Sequence, residues 1–341
     1  MFAQKPPGTN HRIIGVVGTI GIKEQTLKVL LYSQDQNVEE FKNYLTGDFP
    51  EVTFWATQKE AEAEEHVAEA DILVTLRISD QLLGQAKKLQ WIQSMITGTD
   101  MIETLPSFKA RKDLLLTSSR GIHGPQMSEM AIMFMIALNR RLHHFVRNQD
   151  VQVWERWPTT LLYGKKVAIL GMGVIGEAIA RKCKAFDMTV YGIGSVPRKI
   201  EGVDTFYKTE ELKKVAAEVD YFISVAPARP DNFEMLNGDF FARMKPSAFF
   251  INIGRGSVVD EDALYEVLAE QKIAGAALDT FQQEPLPPEH PFWGLKNLII
   301  TPHVGGMCDI YVQQAVKIFH HNLSCYLKGD SQDLINVVPR K

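Results

Sequence analysis

Short apolar runs recur along the chain, and between them lie segments whose apolar positions return at helical spacing. Strands alternating with helices in this way predict parallel sheets in an α/β architecture. Runs at 28–32 (KVLLY), 52–55, 71–76 (DILVTL), 89–95 (LQWIQSM) and 114–117 predict one strand series, with helices at 38–45 and 82–87. A turn around Gly98 spans 97–100. A second series follows at 167–170, 189–193, 221–225, 248–253, 275–278 and 298–301, with a helix at 264–270. One sheet would need too many strands, so two doubly wound domains are expected.

Between the two series, 127–142 is rich in Met, Ala and Leu with few charges, which predicts a helix buried on most sides. Its methionines suit core or subunit packing. Arg140, Arg141, His143 and His144 fall near the expected C-terminal end, where cations suit the helix dipole, and the paired histidines read as a polar helix end rather than a metal site. The stretch 310–327 predicts a long amphipathic helix. At the start, 1–11 reads as a flexible tail, and 12–17 (RIIGVV) as an added strand or an arm packing on a partner subunit.

Composition narrows the function classes. A chain of 341 residues has room for two domains with real cores, and 45% apolar with 23% charged residues is ordinary for globular proteins. The formal net charge of −4 gives no reason to expect nucleic acid or an anionic membrane as partner. No run of apolar residues is long enough for a membrane span, and the first residues lack the order of a signal peptide. Cys183, Cys308 and Cys325 form no C-x-x-C pair and read as reduced thiols, so a cytoplasmic location is expected.

The chain is organised around 166–188, KVAILGMGVIGEAIARKCKAFDM. An apolar strand leads into Gly171, Gly173 and Gly176 at G-x-G-x-x-G spacing, and Ile175, Ala178, Ile179, Cys183 and Phe186 then recur at helical spacing. Gly171 suits the tight turn, Gly173 the approach of a pyrophosphate, and Gly176 close packing of helix on strand. The phosphates are expected at the helix N-terminus, beside Val174 and Ile175. The carboxylate that usually holds the adenosine ribose is missing. Ser195, Arg198 and Lys199 stand there instead, a hydroxyl and two cations that suit a 2′-phosphate. NADP(H) is therefore favoured over NAD(H).

Three further stretches follow apolar strands, where open α/β sheets put their ligands: 252–260 (NIGRGSVVD), 277–285 (ALDTFQQEP) and 301–306 (TPHVGG). On residue type alone, Arg255 suits a carboxylate and His303 suits proton exchange near neutral pH. Glu284 suits the second ring nitrogen of that histidine and would raise its pKa.

With GMGVIG, NIGRG, ALDTFQQEPLP and NLIITPHVGG in this order, the chain resembles the D-isomer-specific 2-hydroxyacid dehydrogenases from about residue 28 to 338. The resemblance implies a Rossmann nucleotide-binding domain at 121–306, and a flavodoxin-like substrate domain formed by 1–120 and 307–341. It implies that Arg255 binds the substrate carboxylate and polarises the C2 carbonyl, that His303 exchanges the proton, and that Glu284 orients His303. It places Asp279 on the nicotinamide carboxamide, Ala226 and Pro227 beside the cofactor, and Arg77 facing the substrate. The backbone N–H groups of Gly98 and Thr99 become carboxylate donors. Hydride passes directly between nicotinamide and substrate, so no metal is required. A cleft between the domains for a small 2-oxoacid or 2-hydroxyacid, and a homodimer formed through the 127–142 region, are implied as well.

The chain departs from the family at three places. Val225 stands where the family usually has a His. Arg229 is unusual and is a candidate for assisting a 2′-phosphate, and in 119–124 (SRGIHG) Arg120 and His123 are candidates for altering substrate choice. The expected activity is an NADP(H)-preferring 2-oxoacid reductase, with glyoxylate or hydroxypyruvate to be tested first. The alternatives are an NAD-using dehydrogenase of the same fold and a nucleotide-sensing binding protein like the corepressors that share it.

Overall fold

The computed structural model describes residues 26–34 and 36–340. The apolar run at 12–17 lies outside them. The chain divides into two compact units, one made of the described residues up to Arg120 together with those from Ile310 onward, the other of Gly121–Asp309.

In the first unit the strands are β1 (Leu27–Tyr32), β2 (Val52–Thr57), β3 (Ile72–Thr75), β4 (Trp91–Ser94) and β5 (Leu115–Ser118). They form one sheet in the order β2-β1-β3-β4-β5, with every pairing parallel. This is the flavodoxin-like order, whose switch point lies between β1 and β3. The helices α1 (Val38–Thr46), α2 (Glu60–Val67), α3 (Asp80–Gln85), α4 (Asp100–Glu103) and α5 (Pro106–Lys109) connect the strands. Asn37 and Ser79 start α1 and α3 by accepting hydrogen bonds from Glu40 N and Leu82 N, so orphan N–H groups are satisfied.

The second unit begins with α6 (Gly124–Arg140) and α7 (Leu142–Asp150). Sequence spacing predicts one helix through 142, but Arg141 takes the left-handed conformation at φ 54° and ends α6 there. His143 and His144 consequently lie in the first turn of α7, where the dipole disfavours cations. Desolvation and neighbouring charges also hold both below the usual histidine range, His143 at about 4. Arg140 and Arg141 do stand at the C-terminal end of α6 as expected, whereas the expectation for the two histidines is corrected: they open α7 and are neutral near pH 7.

The sheet of this unit contains β6 (Lys166–Leu170), β7 (Thr189–Gly194), β8 (Thr205–Lys208), β9 (Tyr221–Ser224), β10 (Phe249–Asn252), β11 (Gly275–Leu278) and β12 (Leu298–Ile300). The order is β12-β11-β10-β9-β6-β7-β8, parallel throughout. Read from β8, this is the doubly wound Rossmann order with one added strand, and its switch point lies between β6 and β9. Intervening helices are α8 (Val174–Ala185), α9 (Leu212–Ala216), α10 (Gly238–Phe241) and α11 (Glu261–Ala269). The last helix, α12 (Tyr311–Lys328), belongs to the first unit, where Phe319 packs on Phe41 and Trp91.

Alternation along the strands divides the second unit's core into two layers. Ala168, Leu170, Phe222, Phe250 and Leu278 face a cluster built with α9, α10 and α11. Their neighbours Val167, Ile169, Tyr221, Ile223, Ile251 and Ala277 face one built with α6 and α8. Both faces of the sheet are buried, which is why these strands read as continuous apolar runs. Cys183 is wholly buried in the α6–α8 layer, and burial pushes its thiol up to about 12. Phe186 follows the end of α8 and remains 39% exposed.

Candidate active site

The turn after β6 is built from glycines with distinct tasks. Gly171 has φ +103°, and a Cβ there would come within 3.0 Å of the Val225 carbonyl, across the switch point. At Gly176 a Cβ would stand 2.3 Å from the Gly171 carbonyl oxygen, so α8 packs on the turn only because no side chain intervenes. Gly173 differs, because a Cβ there meets nothing within 4 Å. It borders open space at the N-cap of α8, a cradle of the shape a pyrophosphate needs. Val174 and Ile175 form the first residues of that helix.

Beyond β7, Ser195, Arg198 and Lys199 are exposed. The Arg198 guanidinium is nevertheless engaged: its Nη2 donates to the Met172 carbonyl at 2.5 Å and pairs with Glu177 Oε1 at 2.6 Å. After β9, Ala226 is buried and Pro227 is exposed. Arg229 pairs with Asp231 at 3.2 Å and is half in solvent, so its suggested part in holding a 2′-phosphate is withdrawn.

Arg255 is positioned by its neighbours. The Asn252 amide donates to the Arg255 carbonyl and to Thr280 Oγ1, both at 3.1 Å, and its Oδ1 accepts from Gly254 N. A Cβ at Gly254 would stand 2.7 Å from the Ala226 oxygen, and one at Gly256 1.9 Å from the Phe281 carbonyl carbon. The loops after β9, β10 and β11 therefore touch backbone to backbone around Arg255. Its Nη1 donates to the Gly254 carbonyl at 3.0 Å.

Glu284 and His303 form the centre of the arrangement. His303 Nδ1 lies 2.7 Å from Glu284 Oε2, while Glu284 Oε1 accepts from Phe281 N at 2.9 Å. Burial raises the Glu284 pKa, but hydrogen bonds from His303 and Phe281 and the charges of His303 and Arg255 outweigh it, leaving the pKa below the ordinary carboxylate value. An ionised carboxylate only accepts, so Nδ1 carries the hydrogen and Nε2 is left for proton exchange.

The His303 loop hangs from Asp279, which is 1% exposed. Its Oδ1 accepts from Thr301 Oγ1 at 2.6 Å and Val304 N at 3.0 Å, and its Oδ2 accepts from Gly305 N at 2.9 Å. These bonds bracket His303, whose backbone is left-handed at φ 54°. Gly305 keeps this corner open, since a Cβ would come within 2.6 Å of Met130 Sδ and 2.9 Å of Asp279 Oδ2.

His123, 7% exposed at the N-cap of α6, lies against Gly306 and within reach of the Arg255 charge. Burial, with Arg255 adding to it, lowers its pKa to about 4, so its imidazole is neutral near pH 7. Arg120 is exposed, and its suggested role in substrate choice is withdrawn.

In the first unit, Arg77 follows β3 and is exposed, with Thr75 Oγ1 donating to its carbonyl at 2.6 Å. Gly98 precedes Thr99, the N-cap of α4, whose hydroxyl donates to Glu103 Oε1 at 2.6 Å. The second unit thus brings Arg255, Asp279, Glu284 and His303 to one end of its sheet, and Arg77, Gly98 and Thr99 belong to the other unit. The sequence reading overlooked Glu177, Asn252 and Thr301. Thr301 carried a usable signal, a hydroxyl placed directly at the end of a strand.

Fold and site together define an α/β oxidoreductase. Residues 132–305 match the family described as D-isomer specific 2-hydroxyacid dehydrogenase, NAD binding domain. The glyoxylate reductase/hydroxypyruvate reductase of Mus musculus is 34% identical over 262 residues, 75% of this chain and 79% of that protein. A D-isomer specific 2-hydroxyacid dehydrogenase family protein from Aeromonas salmonicida superposes with TM-score 0.84 at 33% identity, covering 92% of this chain and 99% of its own. An NADPH-dependent glyoxylate/hydroxypyruvate reductase from Sinorhizobium meliloti, solved with NADP and sulfate, gives TM-score 0.78 at 28% identity, over 92% and 98%. The chain belongs to the D-isomer specific 2-hydroxyacid dehydrogenase family, and is an NAD(P)-dependent oxidoreductase acting on the CH–OH group.

Proposed function

We propose that this chain reduces a small 2-oxoacid, glyoxylate or hydroxypyruvate, with NADPH preferred to NADH. The observation that carries the reading is the 2.7 Å contact between His303 Nδ1 and Glu284, with Arg255 close enough to act on that carboxylate. Similarity to the mouse and Sinorhizobium reductases supports the substrate class. The missing ribose carboxylate and the basic loop after β7 support NADPH.

Arg255 binds the substrate carboxylate through its fork and draws electron density from the C2 carbonyl. His303 Nε2 delivers a proton to the developing alkoxide, while Glu284 holds the ring and balances the imidazolium charge. Gly171, Gly173, Val174, Ile175 and Gly176 hold the pyrophosphate, with Ala226 and Pro227 along the nucleotide. Asp279 keeps one acceptor position on Oδ2 beyond its three described hydrogen bonds, enough for one N–H of a carboxamide. When bound, reduced nicotinamide supplies the hydride to C2. Neutral His123 shapes the surroundings of Arg255. In this reading the unit of Gly121–Asp309 serves as the nucleotide-binding domain and the other unit as the substrate domain.

The active form in this reading is a cytoplasmic homodimer. The three cysteines, Cys183, Cys308 and Cys325, are present as thiols, which supports a reducing compartment. Exposed Leu142, Val146, Val153 and Trp154, the last 89% exposed, support a partner surface beside α7. The deciding experiment is initial-rate oxidation of NADPH and NADH with a panel of 2-oxoacids. Turnover of glyoxylate or hydroxypyruvate with NADPH preferred upholds the reading. Equal rates with NADH remove the cofactor preference, and no turnover of either acid removes the substrate assignment. Light scattering of the eluting peak tests the dimer.

A further inference from the structure

We propose that Glu177 is a selectivity residue, a counter-charge that holds Arg198 against the glycine turn and weakens the chain's preference for the 2′-phosphate of NADP(H). The proposal rests on the assignment of Arg198 to the adenosine end of the cofactor site. It adds a second residue, from the opposite side of the turn, that nothing in the glycine motif requires.

The geometry is specific. Glu177 stands in the first turn of α8, where the helix dipole favours an anion, and its N–H closes the helix on the Gly173 carbonyl at 2.9 Å. Its Oε1 lies 2.6 Å from Arg198 Nη2, and the same nitrogen donates to the Met172 carbonyl at 2.5 Å. Nη2 has two hydrogens, and both are spent. A guanidinium offers two edges for bidentate binding, Nε with Nη2 and Nη1 with Nη2, and Nη2 belongs to each. In this arrangement Arg198 can offer a phosphate only single donors. A dianionic 2′-phosphate also meets the Glu177 carboxylate, which repels it. NADH, which carries no charge at that position, is indifferent to both effects. Glu177 thus narrows the gap between the two cofactors, although the loop after β7 has no carboxylate of its own.

The test is calorimetric titration of the full chain with 2′,5′-ADP and with 5′-AMP, in the parent, Glu177→Gln, Arg198→Ala and the double variant. Glu177→Gln is expected to tighten 2′,5′-ADP roughly three- to tenfold. It should leave 5′-AMP unchanged, and its effect on 2′,5′-ADP should be smaller once residue 198 is Ala, where only the direct repulsion is relieved. The ratio of KM for NADPH to KM for NADH should fall in parallel. Weaker 2′,5′-ADP binding in Glu177→Gln overturns the proposal, because Glu177 then prepares Arg198 for the phosphate instead of opposing it. Unchanged binding overturns it as well, provided that Arg198→Ala weakens 2′,5′-ADP. If Arg198→Ala leaves 2′,5′-ADP binding where it was, the assignment of Arg198 to the cofactor fails, and the role of Glu177 falls with it.

Discussion

Thr301 Oγ1 donates to Asp279 Oδ1 at 2.6 Å, and that bond ties the end of β12, where the His303 loop begins, to the residue that follows β11. Asp279 holds the loop at a third and a fourth residue further on, so His303 is kept left-handed between two anchored positions. Replacing Thr301 by Val removes one hydrogen bond to a buried carboxylate, typically about 1.5–3 kcal/mol. The expected result is a kcat lower by roughly tenfold or more, with binding of 2′,5′-ADP unchanged, since the adenosine end is remote from this loop. Single-turnover rates and calorimetry on the same variant check both halves.

His303→Ala should lower kcat by roughly 10²–10⁴-fold, the usual worth of a positioned acid–base group. Glu284→Gln should cost less, because it keeps the shape and one hydrogen bond but removes the charge. The Glu284 carboxyl titrates below its ordinary 4.5 and is ionised at every pH above it. The carboxylate is therefore charged throughout the range from about pH 5.5 to 8, and the loss of kcat in Glu284→Gln, measured with saturating cofactor and substrate, reports the removal of that charge from beside His303.

Two glycines of one motif should fail in different ways. Gly176→Ala drives a Cβ to 2.3 Å from the Gly171 oxygen, an overpacking that costs about 1–3 kcal/mol and lowers Tm by several degrees. Gly173→Ala meets nothing within 4 Å, so Tm should be nearly unchanged while nucleotide affinity collapses. Thermal melts with and without NADPH separate the two.

Burial lowers the pKa of His123 from 6.5 to about 4, with the Arg255 charge adding to the effect. Between those values the unfolded chain binds the proton and the folded chain does not. Stability therefore rises with pH across this window and is lost as pH falls from 6.5 towards 4, by up to about 3 kcal/mol for this group. His143 acts in the same direction. Urea unfolding at pH 7 and pH 5 should show a smaller acid loss in His123→Gln than in the parent.

Much of the fold was legible because strands buried on both faces are uninterrupted apolar runs, as at β6, β9 and β10. What escaped was amphipathic by a narrow margin. In α2 only Ala63 and Val67 are buried among charged neighbours, and β8 is an edge strand with no buried residue. The break at Arg141 escaped because apolar spacing continues across it and no glycine marks it. In the site, Arg255, Glu284 and His303 could be read because each follows a strand in a distinctive motif. The engagement of Arg198 could not, because Glu177 lies 21 residues away and meets it only across the folded turn.

The division of the chain sets an order on its synthesis. Gly121–Asp309 is continuous, whereas the first unit needs residues from both sides of it. There Phe319 of α12 packs on Trp91, and Arg340 donates to the Leu114 carbonyl at 2.9 Å. A ribosome that has passed Asp309 can release a finished second unit while the first still lacks its closing helix. The portion translated before Gly121 is thus completed only after the unit that follows it.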